Sequence, residues 1–382
     1  MTARYLGLTW DHPRGFDALS AAEHEVAQPG LLHWERQPLE GFESHPIGEL
    51  AARYDLLVLD HPHIGEAVAL DCLLPLEQLF AVEEVSAWSA STMGAAMASY
   101  RWQGSHWALP LDVATQVAAY RPTQLAEPPA TWDEVVRLCE VQPVGLSIAG
   151  PHAILCFFSI VLALGREPGG DDLVDDATGG EALAMLRRIY QLTPAFSRSL
   201  NPIGLLEAMA AGGPLTYVPL VYGYVNYAVP RPDREALGFA EAPLGPSGRR
   251  GSILGGTGIA LTRRAQPDRA LLDHLRWLLS EDAQMGFIPR RNGQPSGRRA
   301  WASPTVNGAW GGFYAATAAT TEAAWVRPRF DGYIAFQTAA AAIIRTGLAA
   351  NDSSPAILSP LRDAWHHSRQ AARATLSTKD KS

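Results

Sequence analysis

Short apolar runs alternate with stretches of helical periodicity along most of the chain. The runs at 5–9 (YLGLT) and 54–59 (YDLLVL) are continuous and have the length of buried strands. Between them, Phe16, Leu19 and Val26 recur at a helical spacing. Strands that alternate with helices in this way predict parallel βαβ units, and therefore an α/β fold.

The pattern continues toward the C-terminus. Apolar runs at 113–120, 145–150 and 253–262 predict further strands. Thr-Trp-Asp-Glu at 131–134 matches a capping box, which predicts that a helix begins there. The residues after about 300 have mostly helical patterning.

Composition narrows the class of protein. The chain has 382 residues, a length that predicts two compact units. Of these residues 47% are hydrophobic and 18% charged, a composition typical of a globular protein. The net charge is −8, and the absence of a Lys/Arg run argues against nucleic-acid binding. The three cysteines match neither a disulfide framework nor a zinc motif. No continuous run of apolar residues is long enough to predict a membrane-spanning helix.

Asp-His-Pro occurs twice, each time directly after a predicted strand. The two stretches are TWDHPRG at 9–15 and LDHPHIG at 59–65. Proline fixes its own φ and restricts the residue before it, so both histidines are held in similar backbone conformations. Because ligands of open α/β sheets bind beyond the C-terminal ends of the strands, we expect both turns to face one ligand site.

Three interpretations of these turns are open. In the first, Asp11 and Asp60 accept hydrogen bonds from ligand hydroxyl or ammonium groups, while His12, His61 and His63 donate. In the second, the same side chains only cap the helices that follow. In the third they hold a metal ion, although their spacing matches no established motif and no metal is expected.

Other residues are candidates for ligand contact. Trp10 and a tyrosine-rich segment offer flat aromatic faces, a glycine-rich stretch offers backbone N–H groups, and an arginine could clamp a carboxylate. Besides the Asp-His-Pro residues, the candidates are Trp10, Asp112, Tyr222, Tyr224, Asn226, Gly256, Thr257, Gln294 and Arg327.

Several stretches, taken in order, resemble the extracellular solute-binding proteins of ABC importers, of the sugar-binding type. The resemblance covers most of residues 5–340 and rests on segments at 54–76, 104–122, 131–139, 201–227 and 255–284. They read YDLLVLDHPHIGEAVALDCLLPL, GSHWALPLDVATQVAAYRP, TWDEVVRLC, NPIGLLEAMAAGGPLTYVPLVYGYVNY and GGTGIALTRRAQPDRALLDHLRWLLSEDAQ.

The resemblance implies a two-lobed, periplasmic-binding-protein-like fold of type II. It consists of two open sheets flanked by helices, with strands that cross a hinge. Lobe one would be 1–112 with about 255–300, and lobe two 113–254 with about 301–382. A sugar, polyol or carboxylated compound would lie in the cleft between the lobes, and hinge motion would close the lobes around it without a cofactor.

The function implied is ligand binding for ABC-type uptake, with a monomer meeting the membrane subunits of an importer and no membrane insertion of its own. The N-terminus shows no signal peptide, which predicts a cytoplasmic protein, or a periplasmic or extracellular one if an export signal was removed. Two alternatives therefore stay open. One is a cytoplasmic lyase, isomerase or hydrolase that uses Asp11, His12, Asp60 and His61 as acid–base pairs. The other is a cytoplasmic ligand sensor.

Overall fold

The computed structural model describes residues 3–379, without the side chains of residues 40, 43, 44 and 373–379. Two compact units emerge from the contacts within the chain. Unit 1 consists of the chain up to Ala114, Leu254–Trp310 and Val326–Asp331. Unit 2 consists of Thr115–Ile253, Gly311–Trp325 and the chain from Gly332 onward. The lobe boundaries drawn from the sequence stay a prediction.

Strands and helices alternate through the first part of the chain, and helices dominate the last part. The strands are β1 (Tyr5–Trp10), β2 (Leu32–Gln37), β3 (Leu56–Leu59), β4 (Arg101–Trp102), β5 (Ser105–His106), β6 (Leu109–Tyr120), β7 (Tyr217–Tyr222), β8 (Gly238–Ala240) and β9 (Leu254–Leu261). The helices are α1 (Pro13–Glu25), α2 (Leu39–Ser44), α3 (Ile47–Ala51), α4 (Ile64–Ala69), α5 (Val82–Ser91), α6 (Ala96–Ser99), α7 (Trp132–Cys139), α8 (His152–Ala163), α9 (Asp176–Leu192), α10 (Pro202–Ala210), α11 (Arg269–Leu278), α12 (Ile288–Arg290), α13 (Arg298–Ala302), α14 (Pro304–Ala309), α15 (Phe313–Glu322), α16 (Tyr333–Ala350) and α17 (Ser354–Lys379).

In unit 1 the strands form an open sheet in the order β2-β1-β3-β9. β1 pairs in parallel with both β2 and β3, and β9 runs antiparallel to β3. The apolar runs predicted as the first strands are these central, buried strands. Leu8 and Leu57 pack with Tyr54 and Ile64 in one apolar cluster on the sheet. The mixed α/β fold class is confirmed.

In unit 2 the second half of β6 pairs antiparallel with β7 and with β8. All residues of α8 are buried, which explains its uninterrupted apolar sequence. The predicted start of α7 is confirmed: Thr131 Oγ1 accepts a hydrogen bond from the Glu134 N–H, and the Glu134 carboxylate accepts one from the Thr131 N–H. This is the reciprocal arrangement of a capping box.

The strand predicted at 145–150 is wrong. A single bridge joins this stretch of the chain to β7, between Val144 and Tyr217, and the following residues form no ladder. Leu146 and Ile148 are nevertheless buried, and Gly150 has a φ of +55° just before α8 begins. A buried irregular segment therefore has the same kind of apolar run as a buried strand, and the sequence pattern alone does not distinguish the two.

Helix α16 is long and apolar enough to cross a membrane, judged by length and composition alone, whereas the apolar runs of the sequence predicted no such helix. The helix packs against α8 and α17 within unit 2. Tyr333, Phe336 and Ile344 lie on its buried face. A core helix passes the same test of composition, so α16, the one such helix within residues 3–379, is weak evidence for a membrane span.

Candidate functional site

The two Asp-His-Pro turns lie at the same edge of the unit 1 sheet. β1 and β3 are parallel neighbours, with Gly7 opposite Leu56 and Leu8 opposite Leu57. Asp11 and Asp60 follow the C-terminal ends of these two strands. The predicted adjacency of the two turns is therefore confirmed, and the edge is the one at which open α/β sheets bind ligands.

The first turn is partly open to solvent and caps a helix. His12 Nδ1 accepts a hydrogen bond of 3.1 Å from the Arg14 N–H at the start of α1, and Pro13 occupies the first helical position. The His12 ring stacks on Trp10, with centroids 5.1 Å apart and planes 8° apart. Asp11 forms a 3.0 Å ion pair with Arg36, and both side chains are 54% exposed.

Trp10, predicted as a stacking surface for a ligand, is only 2% exposed. Besides His12, its indole contacts Phe42, whose ring centroid lies 5.9 Å away. A Cβ at Gly15 would lie 2.2 Å from Trp10 Nε1, so the indole packs directly on the first turn of α1. Protein groups thus surround this ring, and a ligand could stack on it only after they moved.

In the second turn His61 and Pro62 are buried, Asp60 is partly exposed, and the turn bonds to a remote segment of unit 1. Asp60 Oδ1 accepts a 2.8 Å hydrogen bond from the His61 N–H and lies 3.0 Å from His61 Nδ1. The Arg327 N–H donates to His61 Nε2 over 3.2 Å. The Arg327 guanidinium also pairs with Asp60 Oδ2 and donates to the Leu254 carbonyl. The carboxylate that Arg327 holds is thus one of the protein's own.

Burial and charge fix the protonation of this turn. Burial alone would raise the pKa of Asp60, but the Arg327 guanidinium and the His61 ring offset it, and the pKa falls well below its usual range. Burial lowers the pKa of His61 to about 4, with the Arg327 charge acting in the same direction and Asp60 opposing it. A neutral His61 whose two nitrogens are both occupied gives the acid–base alternative no support.

His63 is buried at the end of the 3₁₀ turn His61–His63, directly before α4. The third interpretation would bring these imidazoles and carboxylates around a metal ion. Over residues 3–379, no group of three or more His, Cys, Asp and Glu side chains is arranged so that it could hold one.

A second buried ion pair lies at the start of β6. Asp112 Oδ2 accepts a 2.7 Å bond from Arg14 Nε, and both side chains are almost fully buried. Asp112 Oδ1 accepts a 2.7 Å hydrogen bond from the Thr257 N–H on β9. The neighbouring Gly256 has a φ of +101°, and a Cβ there would lie 2.6 Å from the Asp112 carbonyl oxygen, so the close approach requires glycine. Gln294 donates to the Val113 carbonyl over 2.7 Å.

Tyr100 contacts the second turn, and the charges of both ion pairs affect its pKa. Its hydroxyl donates to the Leu59 carbonyl over 3.3 Å, and its ring meets the His61 ring edge-on at 6.4 Å. Burial raises the pKa of Tyr100 well above its ordinary value. The negative charges of Asp60 and Asp112 also raise this pKa, whereas the positive charges of Arg327 and Arg14 lower it. All four charges therefore lie within electrostatic reach of one phenol in unit 1.

Tyr222, Tyr224 and Asn226 belong to unit 2. Tyr222 ends β7, is half-buried, and meets the His152 ring at 5.8 Å. Tyr224 is buried against Tyr227, edge to face at 6.4 Å, and the Asn226 carbonyl accepts a 3.1 Å bond from Arg234. The other predicted residues all belong to unit 1.

The fold matches many solved structures over nearly the full length of the chain. One is maltose-bound MalE3 of T. maritima, with a TM-score of 0.77 and 16% identity over 94% of this chain and 98% of that one. A second is an ABC transporter solute-binding protein from Agrobacterium radiobacter K84 in complex with ribitol, with a TM-score of 0.78 and 19% identity over 96% of this chain and 98% of that one. A third is an ABC transporter solute-binding protein from Agrobacterium vitis S4 with bound D-mannitol, with a TM-score of 0.77 and 16% identity over the same shares of the two chains. The fold is that of ABC-type solute-binding proteins.

The resemblance stated from the sequence is therefore confirmed at the level of fold. No model of a known protein family matches the sequence, and no curated protein matches it either. At 16–19% identity the likeness to the solute-binding proteins concerns the fold alone.

Sequence reasoning missed Arg14 and Tyr100. Arg14 lies within the stretch TWDHPRG, and its position directly after a turn at the end of a strand could have indicated a residue of the site. Its partner Asp112 lies 98 residues away, so the pairing itself had no local trace. Tyr100 sits at the C-terminal end of the short helix α6 and has no sequence feature that separates it from a core tyrosine.

Proposed function

We propose that this protein binds a small polar ligand, a sugar or a polyol, and delivers it to an ABC-type importer. The observation that carries the proposal is the likeness of fold, over nearly the full length of both chains, to solute-binding proteins whose structures hold ribitol, D-mannitol and maltose. The importer's membrane subunits are partners under this proposal. It also favours the periplasmic or extracellular location among those left open by the sequence.

The electrostatics of the unit 1 edge support a hydroxylated ligand over a carboxylated one. Arg14, Arg36 and Arg327 each already pair with a carboxylate of the protein. An anionic ligand would have to compete with these carboxylates, two of which belong to buried pairs whose disruption is costly. Sugar hydroxyl groups both donate and accept, so they can bond to paired charges without displacing them.

Direct binding measurements test the proposal. Ribitol, D-mannitol, D-tagatose and maltose are titrated calorimetrically and in thermal unfolding, with D-glucuronate as the anionic comparator. A ligand present at a hundredfold excess over its Kd stabilises the folded state by about 2.7 kcal/mol. We expect saturable binding of at least one neutral member of this panel and none of glucuronate.

A matched pair of variants locates the site. Asp60→Asn changes the partly exposed carboxylate of the second turn. Asp71→Asn changes another unit 1 carboxylate, which pairs at the surface with Arg263. We expect Asp60→Asn to weaken binding about tenfold or more, because hydrogen bonds to a charged acceptor are the strong ones, and Asp71→Asn to leave it unchanged. Absence of binding across the panel would overturn the proposed function, and equal behaviour of the two variants would overturn the site.

A further inference from the structure

We infer that His61 is a positioning residue, which fixes the Asp60 carboxylate in the orientation that meets the ligand. The inference rests on the proposed function and adds a role that differs from direct ligand contact. His61 is 1% exposed on its side chain, whereas Asp60 is 21% exposed. Of the two residues, only the carboxylate is within reach of a solute.

The hydrogen bonds dictate which ring nitrogen carries the proton. A backbone N–H can only donate, so the Arg327 N–H at 3.2 Å makes His61 Nε2 an acceptor. In the neutral ring the proton must then be on Nδ1, which lies 3.0 Å from Asp60 Oδ1. His61 therefore donates to Asp60, and the backbone of the Val326–Asp331 segment sets the tautomer.

Two further contacts prevent the ring and the carboxylate from rotating. Tyr100 packs edge-on against the His61 ring at 6.4 Å, and its hydroxyl is anchored on the Leu59 carbonyl. The Arg327 guanidinium holds the second oxygen of Asp60. Asp60 is thus restrained at both oxygens, so the entropic cost of ordering it is met in the free protein rather than on binding.

Two near-isosteric substitutions separate positioning from bulk stability. The side-chain amide of asparagine reaches about as far as Nδ1, so His61→Asn keeps a donor to Asp60 and loses the acceptor for Arg327. The longer glutamine reaches about as far as Nε2, so His61→Gln keeps an acceptor for the Arg327 N–H and loses the donor to Asp60. Each variant removes one buried hydrogen bond, so we expect similar losses in melting temperature.

The two His61 variants should differ in ligand affinity although their melting temperatures are similar. With the tightest binder of the sugar and polyol panel, we expect His61→Gln to lower affinity about tenfold or more, because Asp60 must then be ordered on binding. We expect His61→Asn, which keeps the donor to Asp60, to retain most of the wild-type affinity. Asp71→Asn serves as the unchanged control. Loss of affinity in both His61 variants to the same extent, or in neither, would overturn the positioning role.

A measurement without ligand keeps the test independent of variant folding. Long-range ¹H–¹⁵N correlation spectra of the wild-type protein at neutral pH report the tautomer of each histidine. We expect the Nδ1–H tautomer for His61, and the Nε2–H tautomer would overturn the inference even if sugars bind. Absence of binding by the wild type overturns the proposed function itself, so the two failures are distinguishable.

Discussion

The two Asp-His-Pro turns of unit 1 share a tripeptide, a preceding parallel strand and one edge of the sheet, yet they have opposite environments. In the first turn Asp11 is 54% exposed, and His12 caps α1 while its ring stacks on Trp10. In the second turn His61 is 1% exposed, and its neighbour Asp60 pairs with Arg327.

The difference comes from the partners that the fold brings to each turn. Asp11 is paired by Arg36 from the neighbouring strand β2, in water. Asp60 is paired by Arg327, which is 267 residues away in sequence and buried beside β9. The same tripeptide is thus a helix cap in one place and part of a buried ionic cluster in the other, and substitutions at matched positions should expose the contrast.

Loss of the Asp60 carboxylate should have the largest effect. Asp60→Ala leaves the Arg327 guanidinium buried without its counter-ion, which we expect to cost about 3 kcal/mol or more of the free energy of unfolding. Urea denaturation measures it. The double variant Asp60→Ala/Arg327→Met removes the stranded charge as well and should recover much of the loss. A loss below about 1 kcal/mol in the single variant would mean that water reaches Arg327 and that the second turn resembles the first.

Acid should destabilise the protein through the second turn. Because the pKa of His61 is about 4 in the folded state and about 6.5 in the unfolded chain, its contribution is fully present above pH 6.5 and is lost as pH falls from 6.5 to 4. In that window each such histidine adds a slope of about 1.4 kcal/mol per pH unit to the free energy of unfolding.

His274 adds a second contribution with the same sign. Burial lowers its pKa to about 4 as well. Urea denaturation at a series of pH values between 6.5 and 4 measures how the free energy of unfolding depends on pH. We expect His61→Asn to reduce this slope by about 1.4 kcal/mol per pH unit and the contribution of His274 to remain. An unchanged slope in His61→Asn would show that the imidazole is protonated within the fold.

The cap of α1 should have a smaller effect, and at the first turn only. His12→Ala removes the acceptor of the Arg14 N–H and the ring that stacks on Trp10, and we expect a loss of about 1 kcal/mol in stability. His12→Asn retains a side-chain oxygen that can accept the same hydrogen bond and serves as the control. If both variants lose the same amount, stacking on Trp10 rather than capping stabilises the turn.

Local patterns predicted much of this fold, because they arise from interactions between residues close in sequence. The strands that became β1 and β3, the capping box at Thr131 and the rigid turns at Pro13 and Pro62 all follow from neighbouring residues. The adjacency of β1 and β3 was expected from the rule for open α/β sheets, and the parallel pairing of the two strands agrees with it although β2 lies between them in sequence.

The parts that failed depend on contacts between distant segments. The stretch 145–150 was mistaken for a strand because burial alone makes a segment apolar. The pairing of Arg14 with Asp112 and of His61 with Arg327 spans 98 and 266 residues. Repetition of a tripeptide gave no information on which copy would be buried, since that depends on which remote chain segment covers it.

The smallest expected effect is at Asp11, and it completes the contrast with Asp60. Asp11→Ala removes a carboxylate whose partner, Arg36, remains in water, so its charge is not stranded. Exposed ion pairs contribute about 0–1 kcal/mol to stability, so we expect Asp11→Ala to change the free energy of unfolding by no more than about 0.5 kcal/mol. A double-mutant cycle with Arg36→Ala should give a similarly small coupling energy, and this energy should decline in high salt. A loss close to that of Asp60→Ala would mean that the first turn is covered in solution, and the two copies of the tripeptide would then be equivalent.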